Sequence, residues 1–250
     1  MYNASTLVKE IVNQHPSAIR LFDRLGIDYC CGGGRSIEAA CAAASLKADS
    51  VLEQVSQCVA MESPGESKDF QTMPLAELTQ YIVEQHHAFT REELPRLLTM
   101  AQKLASKHGD RYPQAKEIER LIFELWTEMN SHMMKEEQLL FPYIDDLARA
   151  AAAGEVAADP FFGTIACPIG AMEEEHEAAG ALIAQLAKAT DGYTPAVGAC
   201  MTHRGLYFGL AEFERDLHMH VHLENNVLFP RALALENAQR KGEQAVLTTR

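Results

Sequence analysis

Apolar residues recur along the chain at spacings of three and four, while the alternating runs that mark strands are almost absent. Leu7, Val8, Ile11 and Val12 predict one amphipathic helix ending near Pro16. Ala18, Ile19, Leu21, Phe22 and Leu25 predict a second, closed by Gly26, and Ile37 to Leu46 predict a third. Further on, the apolar stripes lengthen into four helices of about 74–105, 113–149, 167–189 and 195–237. Breaks rich in Gly, Pro and Asp (SKHGDRYPQ, AAAGEVAADPFFG and ATDGYTP) separate them. Long helices with short connections favour an up-down-up-down four-helix bundle, so the expected class is all-α. The segment ESPGESKDFQTMP has the composition of a linker. The expected organisation is a small helical domain at 1–62, a linker at 63–74 and the bundle at 75–250.

Composition narrows the function. The chain has 250 residues, with 22 Lys+Arg against 35 Asp+Glu and a formal charge of −13. That charge argues against nucleic acid or an anionic membrane as partner, since both are polyanions. No apolar run reaches the length of a membrane span, and the first residues lack a basic segment followed by an apolar one. A cytoplasmic protein is expected, with six cysteines serving as reduced thiols or ligands rather than bridges. Residues 1–62 carry five basic and seven acidic side chains, so nearly all the negative charge lies in the remainder. Ten histidines in so acidic a chain are the unusual feature.

Their placement is informative. His132-Met-Met-Lys-Glu136-Glu-Gln-Leu-Leu-Phe-Pro142 and His220-Val-His-Leu-Glu224-Asn-Asn-Val-Leu-Phe-Pro230 share the pattern H-x-x-x-E-x-x-x-L-F-P, 88 residues apart. Such a repeat implies a pseudo-twofold bundle whose second and fourth helices are equivalent. His and Glu at i and i+4 project from one face, one turn apart. Leu139 and Leu140 in the first copy, and Val227 and Leu228 in the second, place that face on the apolar stripe. A carboxylate in a bundle core is costly unless paired or metal-bound.

The other two helices supply His176, 44 residues from each repeat histidine, and His87, 45 residues before His132. One histidine per helix at near-constant spacing can bring four imidazoles to one level. Gly180, one turn after His176, would let a neighbouring helix approach closely. Four His and two Glu exceed what a tetrahedral zinc site uses and suit two iron or manganese ions bridged by carboxylates. With an oxo or hydroxo bridge each ion has about five donors, leaving one octahedral position open.

Other candidates are weaker. His86 is offset by about 100° from His87, while His218 and His222 turn about 200° from His220 and are expected at the surface. His15, His108 and His203 read as structural or exposed. Glu128 and Asp216 stand one turn before a repeat histidine and could orient it. Trp126, Met133, Met134 and Phe213 read as packing residues, and Pro142 and Pro230 as kinks or helix ends.

Asp28-Tyr29-Cys30-Cys31-Gly32-Gly33-Gly34 places two thiols on a permissive backbone just before the helix start at Ser36. Cys30 and Cys31 are candidate reactive residues; a glycine turn with incidental cysteines is the plainer alternative. Cys41, Cys58, Cys167 and Cys200 lie among Ala and Val and are expected to be buried.

Taken together, DYCCGGG, SHMMKEEQLLFP and HLENNVLFP resemble the RIC family, the iron–sulfur cluster repair di-iron proteins of bacteria. The resemblance spans nearly the whole chain and implies a cysteine-bearing N-terminal domain followed by a hemerythrin-like bundle. It implies that His87, His132, Glu136, His176, His220 and Glu224 hold two non-haem iron ions, oxo- or hydroxo-bridged. Thr90 stands one turn after His87, where some relatives have a further His. The implied function is repair of iron–sulfur clusters after nitrosative or oxidative stress, by iron donation, nitric oxide reduction or both. The implied partners are damaged iron–sulfur proteins and nitric oxide or another small diatomic ligand; a homodimer is left open. The alternative is a hemerythrin-like sensor or store binding oxygen, nitric oxide or iron without turnover, in which Cys30 and Cys31 would be dispensable.

Overall fold

The computed structural model describes residues 2–61 and 68–248. Every regular element among them is helical, and the one β-type contact is an isolated bridge between Leu7 and Ser36. The chain divides into two compact units, Met1–Leu78 with His218–Arg250, and Thr79–Leu217. No helix among the described residues is long and apolar enough to cross a membrane.

In the first unit, helix α1 (Val8–Gln14) starts where the Glu10 carboxylate accepts the Leu7 N–H at 3.2 Å. Helix α2 (Ala18–Leu25) ends on Gly26, whose φ of 66° places it in the left-handed region that terminates helices. Helix α3 (Ile37–Ala43) is capped by Ser36, which accepts the Ala39 N–H. Sequence periodicity carries α3 on to Leu46, but the chain turns at Ser45, with φ 59°, and starts a fourth helix, α4 (Ala48–Ala60). Sequence periodicity does not mark that helix, because its buried face is only Val51 and Val55. Val8, Ile11, Phe22, Ile37 and Val55 are fully buried. Residues 62–67 of the expected linker region lie outside the described residues. Beyond them Arg231 donates to the carbonyls of Phe70 (3.0 Å) and Met73 (2.6 Å), fixing the chain before the next helix.

The second unit is a bundle of four helices. The first runs over 75–108, the second over 115–153, the third over Ala166–Ala189 and the fourth over 201–248, this last continuing into the first unit. Leu94, Leu97, Ile118, Ile122, Leu125, Ile144, Leu186, Leu210 and Phe213 form its dry core. Three of the four helices contain a single π-helical turn, at Val83–His87, Glu136–Leu140 and Glu224–Leu228. In the last two, the Phe141 and Phe229 N–H groups bond five residues back, to the carbonyls of Glu136 and Glu224. Pro142 and Pro230 come just after these turns, inside continuing helices, so they end neither helix. The wide turn has already displaced the ladder where a proline would interrupt it.

Each wide turn also adds a residue to the period and rotates the residues beyond it. Leu139 is 44% exposed while Leu140 is buried, against the expectation that both share the buried stripe; in the matching π-turn Val227 and Leu228 are both buried, so it is what packs against each turn that decides. Met134 is likewise exposed rather than packed, whereas Met133 and Phe213 are fully buried. Gly180 has no described atom within 4 Å of the position a Cβ would take, so no described helix crosses closely there.

Candidate metal centre

The three π-turns coincide with the residues singled out in the sequence. His87 closes the first, and Glu136 and Glu224 open the other two. Such turns concentrate at functional positions because they re-aim a side chain without ending the helix.

In the Thr79–Leu217 unit, His87, His132, Glu136 and His176 converge, each 2% exposed or less. Glu136 Oε2 lies 3.3 Å from Nε2 of His87 and 3.3 Å from Nε2 of His132. Nε2 of His132 stands 3.1 Å from Nε2 of His176, and these two imidazoles and Glu136 present donor atoms within 4.8 Å of one another. Donors bound to one ion at about 2.1 Å and right angles stand about 3 Å apart, so the spacing fits a shared metal. The chain thus carries a buried His/Glu cluster able to hold a metal ion.

The outer nitrogens support this. Nδ1 of His87 donates to Glu137 Oε1 at 2.7 Å, an oxygen that Arg91 also bonds at 2.8 Å. Nδ1 of His132 donates to Glu175 Oε2 at 3.0 Å, and Lys135 pairs with the same carboxylate. A carboxylate on Nδ1 fixes the tautomer, leaving the Nε2 lone pair for a metal. The His132 hydrogen bond, opposed by burial and helped by Lys135, holds Glu175 down at about 2. Burial alone would raise Glu137, but the hydrogen bonds from Arg91 and His87 outweigh it and keep it below the usual carboxylate range. The Phe141 ring stacks on His87 at 5.7 Å and closes one side.

Sequence pattern alone does not single out Glu137 and Glu175; the only signal is that each directly adjoins a ligand candidate, Glu136 or His176. The carboxylates expected in that role lie elsewhere. Asp216 pairs with Nδ1 of the buried His86 at 3.0 Å, and Glu128 is exposed.

In the other unit, His220 and Glu224 are both fully buried, with Nε2 of His220 3.0 Å from Glu224 Oε1. His222, expected at the surface, is 2% exposed; its Nδ1 donates to the Tyr29 carbonyl at 3.2 Å, and burial pushes it down to about 4. The same helix brings Asn226 Nδ2 to the Cys30 carbonyl at 2.8 Å. Cys30 is buried, its thiol facing Asp28 Oδ1 at 3.2 Å, whereas Cys31 is exposed. The Cys31 side chain, burial and Asp28 together push the Cys30 thiol well above its ordinary value. Of the remaining cysteines Cys41 is buried and Cys58 half-buried, but Cys167 and Cys200 are exposed. Small apolar neighbours in sequence did not bury them, because both sit near the starts of helices, beside loops.

Residues 78–232 match the model of the Hemerythrin HHE cation binding domain, and residues 4–58 match that of a Domain of Unknown function (DUF542). The chain is 38% identical over 218 residues to the Iron-sulfur cluster repair protein YtfE of Pectobacterium atrosepticum, covering 87% of this chain and 92% of the relative. It is 38% identical over 227 residues to that of Citrobacter koseri, with 91% and 96% coverage. The protein of the same name from Edwardsiella ictaluri is 40% identical over 225 residues, with 90% and 95% coverage.

Proposed function

Because the chain belongs to the family of iron–sulfur cluster repair proteins with a hemerythrin-type domain, we propose that it repairs iron–sulfur clusters damaged by nitrosative or oxidative stress. The observation that carries this reading is the buried imidazole–carboxylate cluster, with His87 and Glu136 on π-turns, in a chain that also bears Cys30 and Cys31. Its resident group is a pair of non-haem irons held by His87, His132, Glu136, His176, His220 and Glu224. Three things support this set of six residues. The repeat makes His220 and Glu224 the counterparts of His132 and Glu136, all are buried, and the matched domain spans all six.

Iron bound there would supply affinity for a small diatomic molecule, or metal for a damaged cluster. The chain's own residues do the rest. Glu137 and Glu175 hold protons on Nδ1 of His87 and His132, keeping Nε2 of each ring turned inward. Glu136 and Glu224, both fully buried, bring the anionic charge that offsets the cations. Cys30 and Cys31 act on the sulfur side of repair, as carriers of iron, sulfur or electrons. The clients are damaged iron–sulfur proteins in the cytoplasm.

The test is metal analysis with an optical spectrum, then reactivation of a nitric-oxide-damaged cluster enzyme. Two irons per chain and reactivation that is lost when both cysteines become Ala are the expected results. Reversible diatomic binding with no reactivation would overturn the repair reading, and reactivation by the double Ala variant would remove the cysteines from it.

A further inference from the structure

The two vicinal thiols are held unequally, and the device that holds them lies within the first unit. The Asp28 carboxylate accepts the backbone N–H of Cys30 at 3.0 Å, the N–H of Gly32 at 2.9 Å and the Cys30 thiol at 3.2 Å. On the other side, Asn226 Nδ2 donates to the Cys30 carbonyl at 2.8 Å and the Tyr29 carbonyl at 3.3 Å. His222 Nδ1 adds a bond to the Tyr29 carbonyl at 3.2 Å. The first turn of α1 closes the frame: Lys9 N–H bonds the Gly33 carbonyl at 2.9 Å and Val8 N–H the Arg35 carbonyl at 3.0 Å. A Cβ on Gly33 would stand 2.5 Å from the Tyr29 carbonyl and 3.1 Å from Asn226 Oδ1, so glycine is needed for this approach.

Vicinal cysteines pair only at the expense of the peptide between them. A trans peptide sets neighbouring Cα atoms about 3.8 Å apart, below the roughly 4.4–6.8 Å that a disulfide ordinarily spans. Closing the ring therefore twists the Cys30–Cys31 peptide and swings the Cys30 carbonyl. That is the carbonyl Asn226 grips, while Asp28 holds the other side of the same residue. Nearness of the sulfurs is then not enough for them to join.

We propose that Asp28 and Asn226 clamp the Cys30–Cys31 peptide against vicinal disulfide formation, making Cys31 a site of reversible S-thiolation by low-molecular-weight disulfides. The Cys31 thiolate attacks one sulfur of RS–SR; the Cys31–S–SR bond forms, the S–S bond of the reagent breaks, and RS⁻ leaves to take up a proton. Cys31 is oxidised to the mixed disulfide as the departing sulfur is reduced to the thiol. Cys30 would ordinarily resolve the adduct by attacking the Cys31 sulfur and expelling a second RS⁻, and the clamp opposes that step. The mixed disulfide persists until an external thiol removes it. Asn226 is thus a positioning residue for the cysteine pair. The inference rests on the reading that these thiols react, and its readout is independent of repair.

The test uses the full chain with glutathione disulfide. Tryptic cleavage after Arg24 and Arg35 gives a peptide of residues 25–35 containing only Cys30 and Cys31, so other thiols do not interfere. In the wild type this peptide should carry one glutathione, on Cys31, and keep it. Asn226→Asp preserves size but removes both donated bonds; it should convert the adduct to the internal disulfide about tenfold faster, with iron content unchanged. Gly33→Ala, which crowds the same approach, should do likewise. An adduct on Cys30, no adduct, or wild-type closure at the variants' rate would overturn the proposal. Repair that does not need the cysteines would leave this peptide map unchanged, so the two readings fail separately.

Discussion

The two copies of H-x-x-x-E-x-x-x-L-F-P agree on their inner faces and part on their outer ones. Both bury the imidazole and the carboxylate, and both place the carboxylate at the start of a π-turn. Outside, the first copy shows Met134, Gln138 and Leu139 to solvent. The same positions of the second are His222, Asn226 and Val227, where His222 and Val227 are buried and Asn226 grips the cysteine turn. The repeats share the buried His and Glu, while the second copy also holds the turn that carries Cys30 and Cys31. Each outer residue can change without disturbing the inner pair because it leaves the helix on a different side.

The largest expected effect tests the shared half of this comparison. Glu136→Gln and Glu224→Gln each replace a buried anion by a neutral amide and should each abolish the proposed two-iron centre. Iron per chain, measured after reconstitution and desalting, should fall to a small fraction of wild type in both. Retention of two irons by either variant breaks the equivalence of the copies and the ligand assignment with it.

Next in size is the difference in packing beside the two π-turns. Leu140→Ala empties a fully enclosed site and should cost about 2–5 kcal/mol, whereas Leu139→Ala, at an exposed site, should stay within about 0.5 kcal/mol. In the second copy both neighbours are buried, Val227 at 2% and Leu228 at 0% exposure, so both truncations should destabilise. Urea unfolding of the four variants gives the pattern directly. Equal costs for Leu139 and Leu140 would show that Leu139 is packed and that the two copies do not differ on this face.

This contrast also shows what was legible in the chain. Helical class, four long helices and the repeat come from local spacing, which the physics of one helix determines. The inward-facing His and Glu were legible because they fall on the same local period. The exposure of Leu139 was not, since its counterpart Val227 has the same local pattern and is buried, so the difference comes from packing that local spacing does not encode. His222 was misplaced because its burial depends on Tyr29, 193 residues away. The same holds for Asn226 and for the partners of His87 and His132. Glu137 and Glu175 look like ordinary solvated acids until helices are packed, and only their position beside Glu136 and His176 hints otherwise.

A smaller effect separates inner from outer support of the histidines. Glu137→Gln and Glu175→Gln leave the donors in place but remove the anion that orients and enriches the ring. Each should weaken iron binding about 10–100-fold without altering the number of irons bound at saturation. Competition with a calibrated chelator measures this. Glu137 should respond less, because Arg91 already draws on the oxygen that His87 bonds. Unchanged affinity in both would mean that the carboxylates serve the helix surface and not the rings.

The smallest effect bears most directly on the outer face of the second copy. Gln138→Ala and Asn226→Ala remove the same kind of side chain at matching positions of the two repeats. Gln138 is exposed, so its loss should change stability by no more than about 0.5 kcal/mol. Asn226 makes two bonds to backbone carbonyls, and the partners left behind raise the expected cost to about 1–2 kcal/mol. The decisive quantity is the difference between the two variants, because it removes the general cost of shortening an amide on a helix. Hydrogen exchange at 28–35 adds location to magnitude: Asn226→Ala should speed it there, and Gln138→Ala should not. Matching behaviour of the pair would mean that the second repeat holds the cysteine turn no more firmly than the first holds solvent.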